Sequence, residues 1–179
     1  MAIESRELRN CLGHFATGVT VVTCLADGEP HGATVNSFTA VSLDPPLVLV
    51  ALGRHTKACR YLDGAPFTIN VLRRRQDDLA RHFAGRPSLD GVEWVPGTER
   101  LAGALAYLTC APWRDYDGGD HVLFLGEVTK FEHHGGEPLV FYRGAFHPLG
   151  RPFEVAPWLG SLDDPDAGWL PAPTPRRSS

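Results

Sequence analysis

The sequence predicts a mainly β fold, an antiparallel and closed or partly closed barrel with a few short helices. About seven apolar or alternating runs have the length of strands, and the helical runs are inserts between them. Because strands and helices do not alternate, strands that follow one another are expected to pair antiparallel rather than to form a Rossmann sheet. With 179 residues, 43% of them hydrophobic, the chain suits one domain with its own core.

The first elements are a helix and a β-hairpin. A helix capped by Ser5 and ending before Gly18 is predicted from one apolar stripe at helical spacing, formed by Leu8, Cys11, Leu12 and Phe15. A strand from Val19 to Ala26 follows, and the turn formers Asp27-Gly28 lead into a second strand at His31. These two strands should pair antiparallel.

The segment 31–52 organises the rest of the chain. Its first part carries small polar side chains, at Thr34, Asn36, Ser37, Thr39 and Ser42. An Asp44-Pro45-Pro46 corner then precedes a continuous apolar run, Leu47–Leu52, which is typical of a buried strand. Thr34 and Asn36 share one face of an extended chain, so this strand can offer hydrogen-bonding groups to a flat polar ligand. The alternative is an edge strand whose polar face meets only water.

The middle of the chain contains a candidate phosphate site. Thr56 is placed to cap a short helix that ends at Gly64, and Lys57 lies beside it. Free N–H groups, a hydroxyl and an ammonium group can together bind a phosphate, whereas the alternative is a capped helix with a surface lysine. A strand at 67–72, a short helix at 76–84 and a loop at 88–101 follow.

The C-terminal part contains the remaining strands and a proline-rich end. Strands are predicted at 104–113 and 121–132, joined by the turn-forming residues 114–120, and a last strand at 138–146. Prolines, glycines and serines dominate from Val155 onward. We therefore divide the chain into a domain, 1–154, and a Pro-rich tail, 155–179, which is expected to be an arm or disordered.

Composition argues against several classes of protein. The net charge of -4 does not suit a nucleic-acid binder, and no apolar run is long enough to span a membrane. The four cysteines form no Cys-x-x-Cys pair, so we expect reduced thiols in a cytoplasmic protein rather than a zinc site or disulfides. His133 and His134 are adjacent in a strand and point to opposite faces, so no metal site is expected there. Motifs typical of dinucleotide-binding, P-loop, zinc-protease and serine-hydrolase sites do not occur.

Several motifs in one order resemble the flavin reductase family, the small reductase components of two-component flavin monooxygenases. They are Phe15-Ala-Thr-Gly-Val-Thr-Val-Val-Thr23, His31-Gly-Ala-Thr-Val-Asn-Ser-Phe-Thr39, Val41-Ser-Leu-Asp-Pro-Pro-Leu-Val-Leu49, Gly119-Asp-His121 and Tyr142-Arg-Gly144. The resemblance covers the chain from about Leu8 to Phe146. It implies an FMN-binding split barrel, usually a homodimer, that uses NADH or NADPH to reduce FMN or FAD for a partner monooxygenase.

The resemblance also implies a set of cofactor-binding residues. Those expected along the isoalloxazine ring and ribityl chain are Thr34, Asn36, Ser37, Phe38 and Thr39, with Ser42 nearby. At the phosphate-binding turn stand His55, Thr56 and Lys57, with His55 where the family more often has serine. Arg81 and Phe83, in the short helix, are further candidates for the rim of the flavin site.

His121 is the candidate catalytic residue, at the start of a strand, and its neighbour Asp120 is a candidate for cofactor binding. By resemblance His121 faces the nicotinamide side of the flavin, where an imidazole could orient the carboxamide or protonate reduced flavin. The alternative is a structural histidine. Arg143 is a candidate for the phosphates of the dinucleotide, or else a surface arginine near a dimer seam.

Three functions are compatible with these residues. The first is an NAD(P)H:flavin oxidoreductase that serves a separate monooxygenase. The second is a non-catalytic flavin-binding split barrel, which would not need the nicotinamide site that the Gly-Asp-His turn implies. The third is an oxidase of the pyridoxamine-phosphate type, which would need a basic pocket, and the clustered basic residues are at Arg73 to Arg75.

Overall fold

A computed structural model describes residues 3–86 and 89–151, and the predicted tail 155–179 lies outside the described residues. Residues up to Leu149 form one unit. The described helices are α1 (Ser5–Leu12), α2 (Lys57–Leu62) and α3 (Asp77–Phe83). The described strands are β1 (Thr17–Gly18), β2 (Thr20–Ala26), β3 (Glu29–Val35), β4 (Thr39–Leu43), β5 (Pro46–Gly53), β6 (Phe67–Val71), β7 (Ala106–Gly118), β8 (His121–His133), β9 (Leu139–Tyr142) and β10 (Ala145–Pro148).

The strands form two antiparallel sheets, which confirms the prediction of a mainly β, antiparallel fold with few helices. The larger sheet has the order β3-β2-β6-β7-β8-β5-β4, and the smaller has the order β1-β9-β10. The predicted hairpin is present: β2 and β3 pair antiparallel, and Asp27 and Gly28 turn the chain with φ of 54° and 80°. Two successive residues with positive φ match the right-handed twist of the strands they join.

Two predicted boundaries at the N-terminus are wrong. Glu4, not Ser5, caps α1, because its carboxylate accepts the N–H groups of Arg6 and Glu7 at 3.2 and 3.1 Å. The helix ends at Leu12, so Phe15 lies beyond it. The apolar stripe of α1 contributes no buried residue in the single chain.

Two predictions in the C-terminal half also differ from the structure. Residues 114–120 are not a long turn, because β7 and β8 continue to Gly118 and His121 and leave only Gly119 and Asp120 between them. The residues of this segment pair with β8 and are exposed. Since neither face of the segment is buried, it does not need alternating apolar residues. The last strand is two strands, because Arg143 and Gly144, with φ of 47° and 80°, form a tight turn between β9 and β10.

The interior contains two apolar clusters with a polar network beside them. Val22, Val50 and Ile69 belong to one cluster, and a second contains Val19, Val21, Leu72, Leu101 and Leu139. The fully buried Asn70 connects the sheet to the loop before β7. Its amide nitrogen donates to the Val21 carbonyl and the Thr23 hydroxyl, both at 2.9 Å, and its oxygen accepts the Leu101 N–H at 2.8 Å.

The cysteines are free thiols, three of them buried. Burial raises the pKa of Cys110 to about 12, and burial together with the charge of Glu99 raises the pKa of Cys24. The thiols of Cys24 and Cys110 therefore stay protonated and pack as small apolar side chains. No helix in the described ranges is long and apolar enough to cross a membrane.

Candidate functional site

A cavity of about 620 Å³ lies between the end of β3, the turn from β5 to α2, and the end of α3. Its size is within the range of small-molecule sites. The strand and turn residues on its wall are Gly32, Ala33, Thr34, Val35, Asn36, Ser37, Ala51, Leu52 and Gly53. The rest of the wall is formed by Thr56, Lys57, Ala58, Phe83, Ala84, Gly85 and His121.

Seven of the predicted site residues line this cavity together: Thr34, Asn36, Ser37, Thr56, Lys57, Phe83 and His121. Phe38 and Thr39 instead line an adjacent cavity of about 500 Å³, next to the end of α1, and Asn36 and Ser37 contribute to both cavities. The remaining predicted residues, Ser42, His55, Arg81, Asp120 and Arg143, are not on the wall of the 620 Å³ cavity.

Thr34 holds α3 against the cavity. Its hydroxyl donates to the Ala80 carbonyl at 2.8 Å, and Ala80 is the fully buried residue of that helix. Phe83, one turn later, packs over Gly32, where a Cβ would lie only 2.9 Å from the Phe83 ring. A larger side chain at position 32 would displace the ring, so glycine and threonine on β3 together determine how α3 covers the site.

Ser37 joins the segment after β3 to β5. Its Oγ accepts the Ala51 N–H at 2.9 Å and donates to the Ala51 carbonyl at 3.1 Å. Since both contacts are with backbone, Ser37 fixes the path of the chain beside the cavity. Asn36, its neighbour, is exposed where the cavities meet.

The turn after β5 has the predicted cap. Thr56 Oγ1 accepts the Cys59 N–H at 3.2 Å and donates to the Gly53 carbonyl at 2.8 Å. The threonine hydroxyl proton is therefore used within the turn, and Lys57 contributes a cationic side chain to the cavity wall. Among the described residues that line the cavity there is no acidic side chain, so this wall suits an anionic group next to Lys57.

His121 also lines the cavity, and the Asp120 side chain contacts it. The two side chains are 2.7 Å apart, from His121 Nδ1 to Asp120 Oδ1. This hydrogen bond and the charge of His121 hold the pKa of Asp120 below its ordinary value. The carboxylate thus stays ionised at neutral pH, and its contact with Nδ1 leaves Nε2 of His121 for other partners.

Arg54, to which the sequence prediction assigned no role, contacts the tip of the hairpin that β7 and β8 form. Its backbone N–H donates to the Asp120 carbonyl at 2.9 Å, and its Nε donates to the Gly119 carbonyl at 3.1 Å. These partners are more than sixty positions away in the chain, so no local motif could have identified them.

The other predicted residues have contacts outside the main cavity. The Ser42 hydroxyl accepts the Asp44 N–H at 3.2 Å in the turn before β5. His55 is exposed in the turn before α2. The Arg81 guanidinium lies 5.0 Å from the centre of the Phe146 ring, and the Arg143 N–H donates to the Gly13 carbonyl at 3.0 Å.

The basic run 73–75 does not contribute to the 620 Å³ cavity. Arg73 donates to the carbonyls of Gly103 and Gly135 at 2.7 and 2.6 Å, and Arg74 pairs with Glu137 at 2.7 Å. None of the three arginines lines the 620 Å³ cavity. The basic pocket that a phosphorylated amine substrate would need is therefore not formed by this run.

Comparisons with known proteins point to one family. The family model "Flavin reductase like domain" matches residues 12–150. An NADH-dependent FAD reductase of Streptomyces globisporus is 45% identical over 152 residues, which is 78% of this chain and 83% of the relative. An NADH-dependent flavin reductase of a Rhodococcus species is 39% identical over 158 residues, covering 84% of this chain and 90% of the relative.

Solved structures agree with these relatives. Flavin reductase PheA2 in its native state superposes with a TM-score of 0.78 and 37% identity, covering 83% of this chain and all (100%) of that one. The Streptomyces globisporus NADH:FAD oxidoreductase SgcE6, in complex with NAD and FAD fragments, gives a TM-score of 0.76 at 41% identity. That match covers 84% of this chain and 97% of the other.

Proposed function

The chain belongs to the flavin reductase family, and from this premise we propose that it is an NADH-dependent flavin reductase that supplies reduced FMN or FAD to a partner monooxygenase. The observation that carries the proposal is the 620 Å³ cavity, whose wall includes both Lys57 and His121. NADH is the expected hydride donor because two of the similar relatives are named as NADH-dependent. NADPH is compared with it in the experiment that tests the function.

The residues of the cavity fit a flavin. A flavin has a flat ring system with polar edges and a phosphorylated side chain, and the cavity combines small strand residues, the Phe83 ring and one lysine. When bound, the flavin accepts a hydride from the nicotinamide of the reduced dinucleotide. The backbone of β3 and the Asn36 amide can hydrogen-bond the polar edges, while Lys57 attracts the phosphate.

The predicted residues then divide into those that contact ligands and those that position others. Thr34 and Ser37 act through α3 and β5, because their hydroxyls bond to the carbonyls of Ala80 and Ala51. His121 can orient the nicotinamide or hold a proton on Nε2, with Asp120 fixing its ring. Roles for Phe38, Thr39, Ser42, His55, Arg81 and Arg143 toward flavin or dinucleotide stay predictions.

We further propose that the larger sheet closes as a split barrel. β3 and β4 are the two ends of its strand order, and they are consecutive in the chain. The Ser37 hydroxyl, just after β3, bonds both backbone groups of Ala51 in β5, the neighbour of β4. These contacts bring one end of the sheet to the other, which supports closure.

A homodimer is proposed from the exposed apolar side chains on and after α1. Leu8, Leu12 and Phe15 are 44%, 65% and 78% exposed, more than a single folded chain usually leaves on one small element. We expect sedimentation analysis to give the mass of two chains, and the variant Leu12→Ser/Phe15→Ser to give that of one. A wild-type protein with the mass of one chain at micromolar concentration would refute the dimer.

The location is proposed to be the cytoplasm. The four cysteines are free thiols, as is usual for proteins kept in reducing compartments, and the proposed donor is a nicotinamide coenzyme.

Anaerobic mixing tests the proposed function. Purified protein is mixed with FMN or FAD and then with NADH or NADPH, while flavin bleaching and nicotinamide absorbance are followed together. We expect rapid bleaching with one nicotinamide equivalent consumed per flavin, and the four combinations identify the flavin and the donor. Flavin binding without bleaching would indicate a non-catalytic carrier, and absence of flavin binding would reject the cavity as a flavin site.

A further inference from the structure

The tip of the β7–β8 hairpin carries His121 but has little packing of its own. Every residue from Pro112 to His121 is exposed, including the large side chains of Trp113 and Tyr116. Strand pairing to β5 ends where Gly53 meets His121. A segment with so little buried apolar surface is expected to open easily unless polar contacts hold it.

Arg54, the residue after Gly53, supplies those contacts. Besides the bonds to Asp120 and Gly119 given above, its Nη2 donates to the His121 carbonyl at 3.3 Å. The same Nη2 lies 3.0 Å from Asp117 Oδ2, and Asp117 Oδ1 accepts the Gly119 N–H at 2.8 Å. One arginine therefore contacts the tip through its backbone and through its guanidinium.

We propose that Arg54 is a positioning residue that fixes the hairpin tip so that His121 faces the cavity. Arg54 lies between Gly53 and Thr56, which both line the cavity, so its contacts connect the hairpin tip to the cavity wall. The planar guanidinium fork can donate to several acceptors at once, which the single ammonium group of lysine cannot do in the same geometry. This proposal rests on the proposed function for its kinetic consequence, but its structural consequence can be measured separately.

Hydrogen exchange tests the structural part. In Arg54→Met, backbone amides of the hairpin tip, 116–121, are expected to exchange at least about tenfold faster than in the wild type, because the guanidinium contacts with Asp117, Gly119 and His121 are lost. Arg74→Met is the matched control, since it removes another exposed arginine–carboxylate pair, at 2.7 Å, away from the cavity. Unchanged exchange at the tip in Arg54→Met would overturn the proposal whatever the activity.

Kinetics test the link to His121. Arg54→Met should lower the rate of NADH-dependent flavin reduction about tenfold or more, as expected when a reacting group is misplaced, while the flavin Kd changes by less than about threefold. Arg54→Lys should recover only part of the rate. In a His121→Ala background, the same Arg54→Met change should cost less than about twofold, because both changes act through one side chain.

The possible outcomes distinguish failure of the positioning role from failure of the proposed function. An equal loss in both backgrounds, or a loss of flavin affinity with the tip still protected, would show that Arg54 does not act through His121. If the wild type binds flavin but never reduces it, the proposed function fails, whereas a loosened tip in Arg54→Met would still establish the positioning role.

Discussion

Replacement of His121 by alanine is expected to slow NADH-dependent flavin reduction about a hundredfold, in the range that a positioned acid–base group contributes. The side chain lies on the cavity wall, and Asp120 holds its Nδ1 at 2.7 Å, so the ring is oriented before any ligand binds. Flavin affinity should change by less than about threefold, because Lys57 and the β3 backbone lie on other parts of the wall. Single-turnover reduction and flavin titration measure the two effects separately.

His133→Ala is the matched control for this variant. His121 and His133 are the first and last residues of the same strand, both exposed, and His133 does not line the cavity. The control should reduce flavin at the wild-type rate. If His121→Ala also kept the wild-type rate, the histidine would be structural, and if it lost flavin as well, the role assigned to it would be wrong.

Replacement of Asn70 by alanine is expected to lower the free energy of unfolding by about 3 kcal/mol. The side chain is fully buried, and its loss leaves the Val21 carbonyl, the Thr23 hydroxyl and the Leu101 N–H each without this partner. Unsatisfied buried polar groups typically cost about 1–3 kcal/mol each, although a rearrangement recovers part of that. For a chain of this length, the melting temperature should fall by about 6–12 °C.

Asn10→Ala is the control for stability. Asn10 is exposed on α1, whose residues are not buried, so its replacement should change the melting temperature by less than about 2 °C. Chemical denaturation of both variants checks the free energies. If Asn70→Ala were as stable as the control, the network between the sheet and the loop before β7 would contribute nothing net.

Local chemistry explains which elements the sequence predicts well. The Asp27-Gly28 turn, the Thr56 cap and the apolar strand β5 depend on neighbouring residues only, and each is present in the structure, with buried and half-buried residues alternating along β5. Residues 114–118 of β7 were instead predicted as part of a turn. They are mostly polar and turn-forming, and their extended conformation comes from pairing with residues 121–125 of β8.

The sequence by itself determined the order of most strands and short helices, the family, and seven of the sixteen described residues that line the cavity. Only the tertiary structure decided what each of those residues does. Thr34 bonds Ala80, 46 positions away, and Arg54 bonds Gly119, 65 positions away. The physical reason is that periodicity and turn chemistry act over a few residues, whereas a hydrogen-bond partner is chosen by how distant segments pack.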